Sequence, residues 1–187
     1  MIKAILFDCF GVVYTDNFAQ NYNSFGGDAE ADNEFLEQLI FDVSSGKVKS
    51  ASAVVAEKLG IDADEWRKVN RSGRVFNQEL LEYTKELREK YKIGMLTNVG
   101  VSGLEYYMDR SVVEEHFDVI VESAKIGFAK PEARAYEIAA ERLGVRLDEI
   151  IFTDDREVYV EGARAVGMKA ILFKDAAQFR NELMKIL

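Results

Sequence analysis

The chain has 187 residues, 48% of them apolar and 30% charged, the balance of a soluble globular protein with room for one sizeable core. Its 24 Lys and Arg against 33 Asp and Glu give a net charge of −9, which argues against a nucleic-acid partner because no basic stripe can neutralise phosphates. The single cysteine, Cys9, excludes an internal disulfide, no apolar stretch has the length of a membrane span, and an acidic residue cuts the apolar start short of a signal-peptide pattern, so a cytoplasmic protein with no membrane partner is expected.

Ile2 to Phe7 is an apolar run that stops at Asp8, with Gly11 close behind. It predicts a buried strand of a parallel sheet ending in a tight turn. Residues 17–32, rich in Asn, Gly and Asp, predict a loop. Three helices are expected next: Asn33–Val43, Ala51–Leu59 stopped by Gly60, and about Asp62–Val69 with Asp62 as its cap. From Asn77 the pattern changes to alternation. Helix Gln78–Lys90 leads to strand Lys92–Leu96, and helix Ser102–Glu115 to strand Asp118–Val121. Pro131 opens helix Glu132–Leu143, followed by strand Glu149–Phe152 and a helix near Val158–Val166. Strand Met168–Phe173 and helix Ala176–Ile186 complete the chain. Strands alternating with helices of this length predict an α/β fold with a parallel sheet, and residues 15–76 read as a helical insertion after its first strand.

In such sheets the reactive groups gather beyond the carboxyl ends of the strands. Asp8 follows the first strand, Thr97 and Asn98 the second, Lys130 the third, and Asp154 and Asp155 the fourth. Each alone has a plainer role: a turn, a solvated lysine, or a helix cap. Together, in order, they make coherent chemistry. Clustered carboxylates repel unless a cation neutralises them, and Mg²⁺ is the hard cation that suits carboxylate, carbonyl and phosphate oxygens. A carboxylate can attack phosphorus covalently, while a lysine and a hydroxyl hold the oxygens of the transferring group.

The pieces FDCFGVVY at 7–14, GMLTN at 94–98, KIGFAKPEARAYEIAAERLGV at 125–145 and FTDDREVYVEGARAVGM at 152–168 resemble the haloacid dehalogenase superfamily of aspartate-nucleophile hydrolases. The stretch SSGKVKSASAVVAEKLGID at 44–62 is similar to the cap of small sugar-phosphate phosphatases and of the phosphatase domain of epoxide hydrolases. The resemblance implies a Rossmann-like core over 1–14 and 77–187 and a small helical cap over 15–76. It implies Asp8 as nucleophile, Thr97 and Asn98 as phosphate-binding groups, and Lys130 as the charge-balancing lysine. It further implies Mg²⁺ held by Asp8, by the carbonyl of Phe10, by Asp155 as main side-chain ligand, and by Asp154 as a second or outer ligand. The partner it implies is a small phosphorylated substrate.

One position departs from the pattern. Phosphatases of the superfamily usually carry a second aspartate two residues after the nucleophile, where it protonates the leaving group; here that residue is Phe10. Loss of a general acid–base costs about 10²–10⁴-fold in rate. Cys9 points to the other face of the strand and does not substitute, and Asp16 lies outside the pattern. Three readings follow: a phosphatase that is slower or restricted to good leaving groups, a metal-independent dehalogenase, or a non-catalytic relative that binds a phosphorylated ligand or a protein. The Asp154–Asp155 pair favours Mg²⁺-dependent phosphate chemistry, since a retained acidic pair beside Asp8 is costly without a cation. His116 and Cys9 are expected to be structural, and Tyr22, Phe25, Phe41 and Trp66 to pack the insertion. Arg71 and Arg74, near the end of the insertion, are placed to meet a substrate anion, with a solvated surface position as the default expectation.

Overall fold

The computed structural model describes residues 1–187. Five parallel strands form one sheet: β1 (Ala4–Phe7), β2 (Lys92–Thr97), β3 (Val119–Glu122), β4 (Ile150–Asp154) and β5 (Lys169–Leu172). Their spatial order is β3-β2-β1-β4-β5, so β1 lies at the centre. The chain first winds outward through β2 and β3, then returns to the other side of β1 for β4 and β5. The crevice at the carboxyl ends of β1, β2 and β4 is the switch point where α/β sheets carry their ligands.

Both faces of the sheet are covered, which is why β1 is apolar without alternation. Ile5 and Phe7 pack with Ile93, Met95, Ile151 and Ile171 on one face, under α5 (Gln78–Arg88) and α10 (Ala176–Ile186). Ala4 and Leu6 point the other way, as the period of two requires, and pack with Leu96, Val121 and Phe152. That face lies under α8 (Ala133–Leu143) and α9 (Glu157–Ala165). Asn77 starts α5 by accepting a bond from Leu80 N–H at 3.2 Å, and Asp175 starts α10 by accepting from Gln178 N–H at 2.7 Å.

Between β1 and α5 lie four helices, α1 (Phe18–Ser24), α2 (Asn33–Ser44), α3 (Ala51–Leu59) and α4 (Ala63–Arg71). They have a core of their own, built from Tyr22, Leu36, Leu39, Val55 and Trp66. Asp62 caps α4 by accepting from Glu65 N–H at 2.8 Å, and Gly60 ends α3 at φ +64°. Tyr22, Phe25 and Trp66 pack as expected, with Trp66 and Tyr22 fully buried, whereas Phe41 lies outside that core with the Lys47 ammonium 5.1 Å from its ring centre.

Three elements differ from expectation. Residues 18–24 form α1 rather than a loop, because Asp16 accepts from Phe18 N–H at 2.9 Å and Phe18 and Tyr22, one turn apart, both pack on Trp66. The expected helix over Ser102–Glu115 is broken. A short 3₁₀ turn at Leu104–Tyr106 is tied to β3 by Leu104 N–H donating to Glu122 Oε2 at 3.0 Å. A separate helix α6 (Arg110–His116) then starts from its own cap, Asp109. The one-turn helix α7 (Ser123–Ile126) follows β3 directly and had no counterpart in the sequence reading. No helix is long and apolar enough to cross a membrane.

Candidate active site

Asp8 is the first residue past β1, and its N–H still joins the sheet by donating to Thr153 O at 2.9 Å. It is 6% exposed. Lys130, reaching in from the loop between α7 and α8, donates to Asp8 Oδ1 at 2.5 Å and to Asp154 Oδ2 at 2.7 Å. The lysine is therefore fully buried between two carboxylates, not solvated. Asp154, the last residue of β4, also accepts from Arg156 N–H at 3.0 Å through Oδ1, so both its oxygens are engaged. Asp155, next in the chain, carries neither of these bonds and sits at the mouth of the site. Carboxylate oxygens of Asp8, Asp154 and Asp155 lie within 4.8 Å of one another.

The electrostatics follow from this crowding. Burial opposes the charge of Lys130, but Asp154 and Asp8 outweigh it and hold the ammonium protonated well beyond the ordinary range. Burial pushes Asp8 up to about 8, against the pull of Lys130 and with the help of Asp154. Desolvation and Asp154 push Asp155 up to about 6. Three carboxylates share one ammonium, so the set is short of positive charge. A hard divalent cation fits that oxygen-only donor set.

Thr97 ends β2, and its buried hydroxyl has no hydrogen-bond partner, which leaves it open to a ligand. Asn98 lies beside it and lines the cleft, but its amide is engaged by the Lys130 backbone. It accepts from Lys130 N–H and donates to Lys130 O, both at 2.9 Å. It thereby fixes the loop that presents the lysine. Gly11 has φ +88°, the left-handed region that favours glycine, and passes directly under the Asp155 carboxylate.

A cleft of about 270 Å³ opens above these groups, lined by Asp8, Phe10, Asn98 and Lys130 from the sheet side and by Leu36, Glu37 and Asn70 from the helical insertion. Every residue singled out at the strand ends is thus brought to one edge, with Asp155 at its rim. Sequence reasoning missed Arg156 and Tyr107 as contributors and gave Arg74 the surface as its default. Arg74, expected on the surface, has a side chain only 3% exposed and lines the cleft. Arg156 pairs with Glu37 across the cleft and donates to the Tyr159 hydroxyl at 2.8 Å. Tyr107 lies edge-on to Phe10 at 5.0 Å. Arg74 carried a signal in its place at the end of the insertion, and Arg156 in its place directly after the Asp154–Asp155 pair.

A doubly covered parallel sheet with an aspartate, a lysine and an acidic pair at its switch point defines a Rossmann-like hydrolase. The haloacid dehalogenase-like hydrolase family matches residues 2–167, and the chain belongs to that family. It is similar to a phosphatase of Mycobacterium tuberculosis, MT3486, at 37% identity over 101 residues, 54% of this chain and 46% of that protein. It is also similar to bifunctional epoxide hydrolase 2 of Rattus norvegicus, at 35% identity over 74 residues, 40% of this chain and 13% of that protein. The chain thus spans less than half the length of either relative. The solved structure of the HAD family enzyme bt-2542 from Bacteroides thetaiotaomicron superposes with a TM-score of 0.77 at 21% identity, covering 97% of this chain and 98% of that one. That enzyme has also been solved in complex with magnesium and inorganic phosphate.

Proposed function

We propose that the chain is a Mg²⁺-dependent phosphatase for a small phosphorylated metabolite, with Asp8 as nucleophile, a Rossmann-like core over 1–14 and 77–187, and a cap over 15–76. The observation that carries this is the meeting of three carboxylates, a buried lysine and an unpartnered buried hydroxyl at one sheet edge. The phosphatase among the relatives and the magnesium–phosphate complex of bt-2542 point the same way.

In this reading an Asp8 oxygen attacks phosphorus and the bond to the leaving group breaks. Water then hydrolyses the phosphoryl-aspartate and restores Asp8. Lys130 orients Asp8 and, with the Thr97 hydroxyl, balances charge on the phosphoryl oxygens. Asn98 keeps Lys130 in place. Asp155, Asp8 and the carbonyl of Phe10 would hold Mg²⁺, with Asp154, already committed to Lys130 and the Arg156 N–H, as the weaker ligand. The cation supplies the positive charge that the carboxylates and phosphate otherwise lack. A metal-independent dehalogenase is the second reading, favoured by the aromatic Phe10 alone. It leaves the acidic cluster with no task.

The test is phosphate and chloride release by the wild type and Asp8→Asn, with and without Mg²⁺, on p-nitrophenyl phosphate, acetyl phosphate, glycerol 3-phosphate and 2-chloropropionate. Phosphate release that needs both Asp8 and Mg²⁺ is expected. Metal-independent chloride release would replace the reading with dehalogenation, and silence on every substrate would leave a binding protein. Calorimetry should show weaker Mg²⁺ binding in Asp155→Asn than in Asp154→Asn; equal affinity in both and in the wild type would remove them as ligands.

A further inference from the structure

The cleft shows what a departing group would meet. Lys130 and Asp154 fill the buried side of Asp8, so a group leaving phosphorus must depart toward the cleft. There it faces Phe10 and Tyr107, which line the cleft with Asp8. The Arg74 guanidinium sits over both rings, 5.3 Å from the centre of Phe10 and 5.4 Å from that of Tyr107. Arg74 is built in. Its Nε donates to Asn70 O at 2.9 Å, Nη2 to Asn70 Oδ1 at 3.3 Å and Nη1 to Thr15 O at 3.2 Å, and Asp16 lies 3.4 Å from Nη1. Those three hydrogen bonds leave two of its five N–H groups without a hydrogen-bond partner, one on each Nη, on a side chain that is 3% exposed in the cleft wall.

No carboxyl group beyond the metal cluster is free to deliver a proton to a leaving oxygen. Asp16 and Glu37 are the carboxylates beyond the metal cluster, and arginines Arg74 and Arg156 hold them. The Tyr159 hydroxyl is tied to the cleft wall, accepting from Arg156 Nη1 at 2.8 Å and from Asn98 Nδ2 at 3.4 Å. The departing side therefore offers guanidinium donors and no free carboxyl group.

We propose that the substrates are acyl phosphates, with Arg74 receiving the departing carboxylate above the Phe10 ring. This rests on the phosphatase reading and adds the substrate class to it. The chemistry balances without an acid. An Asp8 oxygen bonds to phosphorus as the phosphorus–oxygen bond to the acyl group breaks, and the electron pair leaves on a carboxylate that needs no proton at neutral pH. Water then adds to phosphorus, the bond to Asp8 breaks, and the proton lost by water ends on phosphate or in bulk solvent. An alkyl phosphate instead releases an alkoxide that must be protonated, the step an absent acid slows by about 10²–10⁴-fold.

The experiment compares the wild type, Arg74→Gln, Arg74→Lys and Asp8→Asn in Mg²⁺ on acetyl phosphate, p-nitrophenyl phosphate and glycerol 3-phosphate. The wild type is expected to turn over acetyl phosphate with kcat/KM about 100-fold or more above that for glycerol 3-phosphate. Arg74→Gln should lose at least about tenfold more on acetyl phosphate than on p-nitrophenyl phosphate, whose phenolate is not a carboxylate, and Arg74→Lys should recover part of that difference. Glycerol 3-phosphate within tenfold of acetyl phosphate, still dependent on Asp8, would overturn the substrate class and leave the phosphatase reading standing. Equal losses on both good substrates in both Arg74 variants would mean that Arg74 only braces the turn, and would overturn its role. Activity unchanged in Asp8→Asn, or none at all, would remove the phosphatase reading and this inference with it.

Discussion

Gly11 and Asp155 approach so closely that a Cβ on residue 11 would lie 2.2 Å from Asp155 Oδ2. The loop after β1 and the loop after β4 are therefore fitted to each other through an absent side chain. Gly11→Ala must push the carboxylate aside and also hold alanine at φ +88°. The backbone strain alone costs about 1–3 kcal/mol. Urea unfolding should show a loss of that order, and calorimetry a Mg²⁺ affinity reduced about tenfold or more. Unchanged Mg²⁺ binding would mean that Asp155 is not a ligand where it stands.

Lys130 is the single cation inside the acidic cluster, within 2.7 Å of both Asp8 and Asp154. Removing one partner of a buried ion pair costs about 3–5 kcal/mol, because the remaining charge keeps its desolvation penalty. Lys130→Met should lose about that much in metal-free buffer and recover part of it in Mg²⁺, since a bound ligand stabilises the fold. Turnover should fall by about 10³-fold or more, comparable with removal of a major electrostatic donor. A variant as stable as the wild type without Mg²⁺ would show that the carboxylates escape the penalty by taking up protons.

Phe10→Asp restores the residue type usual at that position but not its surroundings. The new carboxylate would lie beside the Arg74 guanidinium, which now sits 5.3 Å from the Phe10 ring centre. A cation at that range favours the ionised form, so the variant should gain a base and not an acid. Activity on p-nitrophenyl phosphate, with its good leaving group, should rise, while glycerol 3-phosphate should gain less than about tenfold. Adding Arg74→Gln should release the glycerol 3-phosphate activity and move its pH optimum upward. A full gain in Phe10→Asp alone would show that Arg74 does not control the group.

The strand-end residues were legible because a parallel sheet leaves little choice. Once β1, β2 and β4 are recognised from their apolar runs, Asp8, Thr97 and Asp154 must share an edge. The burial of Arg74 was not legible. The arginine follows α4 in an irregular segment, and its burial is decided by Phe10, Tyr107, Asn70 and Thr15, partners 4 to 64 residues away with no common period. The break before α6 was hidden for a similar reason: the charge of Glu122, on β3, holds the 3₁₀ turn by accepting from Leu104 N–H. Periodicity reports which face a residue shares, not which distant carboxylate will bind its backbone.

His116 ends α6 inside the core, 5% exposed, with Nδ1 at 3.1 Å from Thr84 Oγ1. The Thr84 hydroxyl already donates to Leu81 O at 2.7 Å, so its single proton is taken and Nδ1–H must donate to it. Burial, reinforced by Lys85, lowers the pKa of His116 below its ordinary 6.5, although Glu115 and Glu82 pull the other way. Between the lowered folded value and 6.5 the unfolded chain binds more protons than the fold. Stability therefore rises with pH across that window, is complete above it, and is lost as pH falls through it. Unfolding midpoints measured from pH 7.5 to 5 should drop less in His116→Gln than in the wild type, because glutamine keeps a donor for Thr84 and cannot take up the proton. Parallel curves for the two proteins would place the acid sensitivity in the carboxylates and leave His116 without a part in it.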